Sequence, residues 1–223
     1  MESVKLNTVS TVDAIRNALE ADILSLRFAP GAKITESDIA LRYSVSRNTV
    51  REAVAHLIAQ GLLTKIANKG ISVRCFTVQD VQEIFHLRAM LEIEAVNTII
   101  HAGVSLDALY AIVEELEATD RQLQWDDYVR ADIHFHRELV AAAGSTRLTR
   151  LYDTILTEVK LCIYQTRHYV AIPESINGSH RVILDAVCSG DPKVAADHLR
   201  DHIEHVIKRY CAGLVAMDQA KDN

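Results

Sequence analysis

The chain is poor in the residues that break helices. Eight Gly and three Pro in 223 residues leave room for few turns, and together with abundant Ala, Leu, Ile and Glu they favour a mostly helical protein. Long apolar runs are also missing. No stretch free of Asp, Glu, Lys and Arg exceeds 12 residues, which excludes a membrane-spanning helix. Lys5, Asp13, Arg16 and Glu20 interrupt the first 20 residues, so the unbroken apolar segment of a secretory signal is absent and a cytoplasmic location is expected. Cys75, Cys162, Cys188 and Cys211 stand far apart with no C-x-x-C pair; this argues against a zinc knuckle, a redox motif or a disulfide framework, and they read as buried thiols. Self-similarity at 34 or 40 residues is lacking, which removes a helical repeat array. What is present is ordinary for a globular protein: 49% hydrophobic and 24% charged residues, over a length that is comfortable for two domains.

A net charge of −6 is unpromising for a partner as acidic as DNA, but the total hides an uneven distribution. Residues 1–76 hold 10 basic against 7 acidic side chains and residues 77–223 hold 14 against 23, so the two parts carry +3 and −9. Between Ala40 and Phe76, Arg42, Arg47, Arg51, Lys65, Lys69 and Arg74 face Glu52 alone. Such a patch is a candidate phosphate-binding surface; the alternative is an ordinary solvated helix face.

The order of elements in residues 1–76 reads as a winged helix-turn-helix. Val12, Ile15, Leu19, Ile23 and Leu26 recur at helical spacing behind the candidate caps Ser10 and Thr11, and Ala29-Pro30-Gly31 ends the run. Thr35 or Ser37 can cap a short second helix. After Tyr43-Ser44-Val45 a third helix starts at Ser46, with Val50, Ala53, Val54, Leu57 and Ile58 on one face and Arg47, Asn48 and Arg51 on the other. Ser46 and Thr49 form an imperfect capping box. Two short strands, Leu62–Ile66 and Ile71–Arg74, flank a turn at Ala67-Asn68-Lys69-Gly70 and would form the wing. A helix of this kind fits the major groove, where Arg47 is placed to reach base edges and phosphate.

From residue 77 onward the strand signals disappear. Helices are expected near Val78–Ala102, Leu106–Gln124, Trp125–Ala143, Thr146–Tyr169, Glu174–Ser189 and Pro192–Leu214, an all-α antiparallel bundle. Nine of the ten histidines fall in this part. Asp132 and His136 share a helix face at i, i+4, whereas His134 points away. His180 stands on another helix and His202 on the last, so an Asp and three His can meet inside the bundle as ligands for Zn, Ni, Mn or Fe. Periodicity cannot choose among His198, His202 and His205, which lie a turn apart.

Both parts resemble a known family. Ala29-Pro30-Gly31, Ile34-Thr35-Glu36, Asp38-Ile39-Ala40, Val45-Ser46-Arg47, Val50-Arg51-Glu52-Ala53, Leu57, Gly61-Leu62 and Gly70 follow the operator-binding signature of the GntR family of bacterial transcription regulators. The resemblance implies that Arg47 and Arg51 contact operator DNA and that Gly70 lies at a wing tip approaching the minor groove; charge alone adds Lys69. Asn48 and Thr49, counted with Arg47 among the DNA-binding residues, stand where the family usually has Thr-Pro, which changes the base preference expected beside Arg47, since Asn bonds adenine bidentately. Leu87-Arg88, Leu91-Glu92, Asp132-x-x-x-His136 with Leu139, Ala142-Ala143-Gly144, His180 with Ile183 and Ala186, Gly190-Asp191 and His202 resemble the FCD ligand-binding domain of the FadR subfamily. This second resemblance implies a divalent metal, foremost zinc, on Asp132, His136, His180 and His202. It also implies a homodimer, and a small carboxylate effector with Arg88 as its leading protein partner. Tyr164 and Arg167 are secondary effector candidates, and Arg88 has an alternative role as an i, i+4 partner of Glu92.

The function that follows is a ligand-responsive DNA-binding regulator, a repressor released by an organic acid, with residues 1–76 binding DNA and residues 77–223 binding effector and dimerising. Two other classes remain. One is a metal-dependent hydrolase with Glu138 or Asp201 as base, and the other is a DNA-binding protein without an effector.

Overall fold

The computed structural model describes residues 10–66, 70–119, 125–171 and 176–221. The chain divides into two compact units, Met1–Cys75 and Phe76–Asn223.

In the first unit, α1 (Thr11–Leu24) starts where Ser10 accepts a hydrogen bond from the Asp13 amide, and it buries Ile15, Leu19 and Ile23. Thr35 caps α2 (Glu36–Tyr43) in the same way, accepting from the Asp38 amide at 3.1 Å. Three residues separate α2 from α3 (Arg47–Ala59), and Ser44 turns the corner in the left-handed conformation at φ 56°. The wing strands β2 (Leu63–Ile66) and β3 (Gly70–Val73) pair antiparallel, Ile66 opposite Gly70. The expected two-stranded wing is in fact a three-stranded sheet. β1 (Lys33–Ile34) adds to the far edge of β3 through Lys33 opposite Ser72 and Ile34 opposite Ile71. Two residues are too few for any period, so only pairing reveals the strand. A buried carboxylate ties α1 to α2. Asp22 accepts from the Tyr43 hydroxyl at 2.7 Å and pairs with Arg27 at 2.6 Å and Arg42 at 2.9 Å. Burial and the Asp22 carboxylate push the Tyr43 phenol up to about 12.

The second unit is a bundle of α4 (Val78–Ala102), α5 (Asp107–Thr119), α6 (Trp125–Ala142), α7 (Thr146–Thr166), α8 (Ile176–Cys188) and α9 (Pro192–Lys221). A capping box starts α4: Thr77 accepts from the Asp80 amide at 3.1 Å, and Asp80 accepts from the Thr77 amide at 2.9 Å. Its length matches the expectation residue for residue, and the left-handed Gly103 at φ 62° stops it. Helix α9 runs seven residues beyond the expected Leu214, because Leu214 and Met217 keep an apolar stripe buried. The expected helix limits at Gln124 and Glu174 lie outside the described residues. One expectation fails: only Cys162 is buried, whereas Cys75 and Cys188 are exposed and Cys211 is half-buried. Each exposed thiol stands at or past the end of an element, where the apolar stripe no longer constrains the residue. No described helix is long and apolar enough to cross a membrane.

Helices α7 and α9 approach closely at Gly213. A Cβ there would lie 2.5 Å from Val170 Cγ2 and 3.2 Å from Thr166 Cβ. Alanine would gain about 1 kcal/mol in helix propensity but force these neighbours apart at a cost of about 1–3 kcal/mol. Gly213→Ala is therefore expected to lower the denaturation midpoint, and an unchanged or higher midpoint in urea would show that Val170 yields freely.

Candidate functional site

The candidate recognition face of the first unit is the N-terminal turn of α3. Ser46 caps it, accepting from the Thr49 amide at 3.2 Å, and its Oγ lies 2.9 Å from Thr49 Oγ1. Thr49 is thus engaged in the cap and half-buried, while Arg47 and Asn48 project into solvent. Val50, Ala53, Val54 and Leu57 anchor the opposite face in the core. Arg51 is exposed but not unattended: its guanidinium lies 3.4 Å from Glu36 on α2 and 3.5 Å from Asn48 Oδ1. An exposed pair of this kind is worth less than about 1 kcal/mol, little enough for phosphate to displace it. Gly70 opens β3 at φ +89°, a left-handed conformation that follows from having no Cβ. Lys69 lies outside the described residues.

In the second unit five helices converge on one polar centre. Asp132 and His136 come from α6, His180 from α8 and His202 from α9, and one potential ligand atom of each lies within 4.8 Å of all the others. The three imidazole centroids form a nearly equilateral triangle with sides of 5.1, 5.1 and 5.3 Å. Phe135 packs against His136 at 5.1 Å and His180 at 4.5 Å between centroids, fixing both rings. His136 and His180 are wholly buried and Asp132 is 6% exposed. The geometry also resolves the ambiguity on α9, because His198 and His205 are exposed and His205 Nδ1 bonds the Asp201 carbonyl.

Two residues of this centre were not legible as functional from spacing: Glu92 on α4 and Tyr152 on α7. Glu92 is fully buried and lies 2.8 Å from His136 Nδ1, 2.7 Å from Arg88 Nε and 2.5 Å from the Tyr152 hydroxyl, the latter two donating to it. With Nδ1 bound to a carboxylate, His136 turns Nε2 toward Asp132 Oδ1, 3.8 Å away. His180 Nε2 lies 3.3 Å from the same oxygen without hydrogen-bond geometry. Nitrogens of all three histidines and Arg88 Nη2 are consequently buried with no hydrogen-bond partner. Orphaned buried nitrogens are costly unless they bind something. Three imidazoles and a carboxylate in this arrangement fit a divalent metal.

The electrostatics agree. Burial raises the Glu92 carboxyl, but His136, Arg88 and the Tyr152 hydrogen bond outweigh it and hold the group at about 2. Asp132 is likewise held well below the usual carboxylate range: burial opposes this, and the nearby His180 and His136 rings together with the Arg88 guanidinium overcome it. Burial pushes His136 down, and burial together with neighbouring His136 and His180 pushes His202 down further. Both shifts favour the neutral imidazole of His136 and His202, the form that ligates a metal.

Arg88, the leading effector candidate, takes up its alternative role as the i, i+4 partner of Glu92 and keeps one nitrogen directed into the centre. It pairs with Glu92 through Nε and directs Nη2 toward Asp132 Oδ2, 3.7 Å away. Tyr164 and Arg167 are not brought to this centre. Tyr164 lies twelve residues beyond Tyr152 on α7, roughly 18 Å at 1.5 Å per residue, and its phenol is raised by burial and by Asp126. Arg167 bonds His168 at the end of the same helix. The bases of the hydrolase alternative are also elsewhere, since Glu138 pairs with Arg137 at 3.0 Å and Asp201 is exposed.

The depressed histidines give a stability prediction with a definite sign. Below the ordinary imidazole value of about 6.5 the unfolded chain protonates His136 and His202 while the folded metal-free chain does not, so stability falls as pH drops from 7 toward 5. Glu92 adds a second loss between about 4.5 and about 2. Urea denaturation of the metal-free protein at pH 7.5, 6.5 and 5.5 measures the first window. The doubly substituted His136→Gln, His202→Gln protein should show a flatter slope, and an unchanged slope would assign the pH dependence to other groups.

Comparison with known proteins places both units. Residues 11–73 match the model of bacterial regulatory proteins, gntR family, and residues 83–205 match the FCD domain. A Paenarthrobacter nicotinovorans protein named "Probable D-xylose utilization operon transcriptional repressor" is 29% identical over 206 residues, covering 90% of this chain and 89% of that one. The transcriptional repressor GlaR of Escherichia coli K12 is 28% identical over 209 residues, covering 88% and 93%. A crystal structure of a GntR transcriptional regulator from Rhodococcus sp. RHA1 superposes with a TM-score of 0.71 at 27% identity, covering 91% of this chain and 98% of that one. These relatives are transcription regulators and not enzymes, which removes the hydrolase alternative. The α3 face, the wing and the histidine-lined bundle thus belong together: the chain is a member of the GntR family of DNA-binding transcription regulators, with an FCD domain as its second unit.

Proposed function

We propose that the protein is a homodimeric repressor released from its operator by a small organic acid, and that the acid binds at a divalent metal held by Asp132, His136, His180 and His202. The observation that carries this reading is the convergence of four ligand atoms within 4.8 Å, buried, with orphaned imidazole nitrogens and a carboxylate behind His136. Three nitrogens and one oxygen suit Zn, with Ni, Mn or Fe as alternatives. When bound, the ion supplies a Lewis-acid anchor for a carboxylate. Arg88 supplies the rest: its buried Nη2 donates to the same carboxylate while Nε stays with Glu92. Glu92 holds His136 in one tautomer and one orientation.

In residues 1–76, Arg47, Asn48 and Arg51 read the major groove, and Lys69 and Gly70 place the wing. Two copies give the symmetry that a two-half-site operator requires.

Elemental analysis of untagged protein purified without added metal, followed by thermal shifts with a panel of hydroxy- and dicarboxylic acids, tests the sensor. About one ion per chain and an acid that stabilises only the loaded form are expected; absence of metal and of any acid response would discard it. Two substitutions probe the parts separately. Arg47→Ala should weaken specific operator binding by about 1–3 kcal/mol at fixed salt, read by fluorescence anisotropy, with fold and dimer retained. Glu92→Gln should lower metal affinity by about 10–100-fold in a chelator competition, and wild-type affinity would mean that Glu92 only packs.

A further inference from the structure

One partly buried cation has no part in the centre described above. Arg209, on α9, is half-buried, and among the described residues its partners are two neutral phenols. Its Nη2 donates to the Tyr128 hydroxyl at 2.7 Å and to the Tyr210 hydroxyl at 2.9 Å, while its Nε is buried with no hydrogen-bond partner. Guanidinium groups buried without a carboxylate are rare, because desolvating the charge is costly unless something anionic answers it.

Its position is specific. Tyr128 precedes Asp132 by one turn of α6, and Arg209 follows His202 by two turns of α9, so both extend the faces that carry the ligand set. A continuous aromatic path joins the two arginines. The Arg88 guanidinium lies 5.7 Å from the Phe85 centroid, Phe85 stacks on Tyr210 at 5.6 Å, and Arg209 covers Tyr210 at 4.9 Å. Behind Arg88 stands Asp132, 3.7 Å away.

Charge then selects the ligand. Arg88 against Glu92 and Asp132, with a divalent ion present, leaves one positive charge, which a single carboxylate neutralises. Arg209 adds a second. From this we infer that the effector is a dianion, a short dicarboxylate whose first acid group sits at the Arg88 end and whose second is received by Arg209, with the Tyr128 and Tyr210 hydroxyls holding that guanidinium in place. The inference rests on the metal-and-acid reading of the second unit and adds to it the class of acid and the residue that selects it.

The test compares α,ω-dicarboxylates with monocarboxylates of equal chain length: succinate, glutarate and adipate against butyrate, valerate and hexanoate. Calorimetry on the full-length, metal-loaded protein is expected to show at least one dicarboxylate binding about tenfold or more tighter than its monocarboxylate counterpart, since a second charge-assisted contact is worth about 1.5–3 kcal/mol. Arg209→Gln should bring that ratio near one while metal content and monocarboxylate affinity stay as in wild type. Tyr128→Phe, which keeps the ring and removes one hydroxyl, should reduce the ratio part of the way and serves as the test should Arg209→Gln fail to fold. Equal affinities for the two series in wild type would overturn the inference while leaving the sensor reading intact. So would an Arg209→Gln protein that loses both series equally, or a Tyr128→Phe ratio equal to wild type with the Arg209→Gln protein unfolded. Absence of both metal and acid binding would remove the sensor reading and this inference with it.

Discussion

The second unit depends on one buried carboxylate. Glu92 collects Arg88 from its own helix, His136 from α6 and Tyr152 from α7, and it is completely shielded from water. Each contact answers a different difficulty. Arg88 neutralises the charge, Tyr152 fills an acceptor site, and His136 acquires a fixed tautomer that presents Nε2 to the ligand cluster. Breaking a buried charge pair costs about 3–5 kcal/mol, whereas replacing it with packed apolar residues is often neutral, so such a hub is weak evidence for stability and stronger evidence for a site. The orphaned nitrogens that surround it carry the same message. A core selected for stability alone would have used Leu and Phe.

Much of this was legible in the chain. Local rules act over three or four residues, and they succeeded at the caps Ser10, Thr35 and Ser46 and in the phase that sets His134 outside and His136 inside. They fail where a residue's role is set by something distant in sequence. Glu92 is an ordinary i, i+4 partner of Arg88 until α6 and α7 are packed against it, 44 and 60 residues away. β1 is two residues that become a strand only by pairing with Ser72 and Ile71. His198, His202 and His205 have equal claims by periodicity, and packing selects the middle one, since the other two are exposed. Tyr164 shows the converse limit, since a residue on the same helix as Tyr152 can still stand three turns from the histidine cluster.

The two units solve different electrostatic problems with the same residue types. In the first, arginines are exposed on a short helix whose apolar face is anchored by Val50, Val54 and Leu57, and their weak surface pairs leave them available to phosphate. In the second, Arg88 is buried and held by carboxylates and Arg209 is half-buried and held by phenols, and a guanidinium is worth more there because the medium around it is less polarisable. The overall negative charge of the chain therefore says little about partners. What matters is which cations remain unanswered and how far each is from water.

Placing Arg88 and Glu92 on α4 has a thermodynamic consequence for the proposed sensor. A carboxylate that takes up Arg88 Nη2 engages the residue whose Nε holds Glu92, and Glu92 in turn orients His136. Acid binding and metal binding then share one network, and linkage requires that each strengthen the other by the same factor. Only three residues, Arg74, Cys75 and Phe76, lie between the end of β3 and the Thr77 cap of α4, so the helix proposed to receive the acid is the one covalently continuous with the wing. An acid that binds both arrangements of the protein equally shifts neither, however tightly it binds. Moving an operator-binding population from 1:99 to 99:1 takes about 5.5 kcal/mol of difference. Two or three charge-assisted hydrogen bonds present in one arrangement and absent in the other supply that amount, and a network centred on Glu92 can be made or lost as a unit.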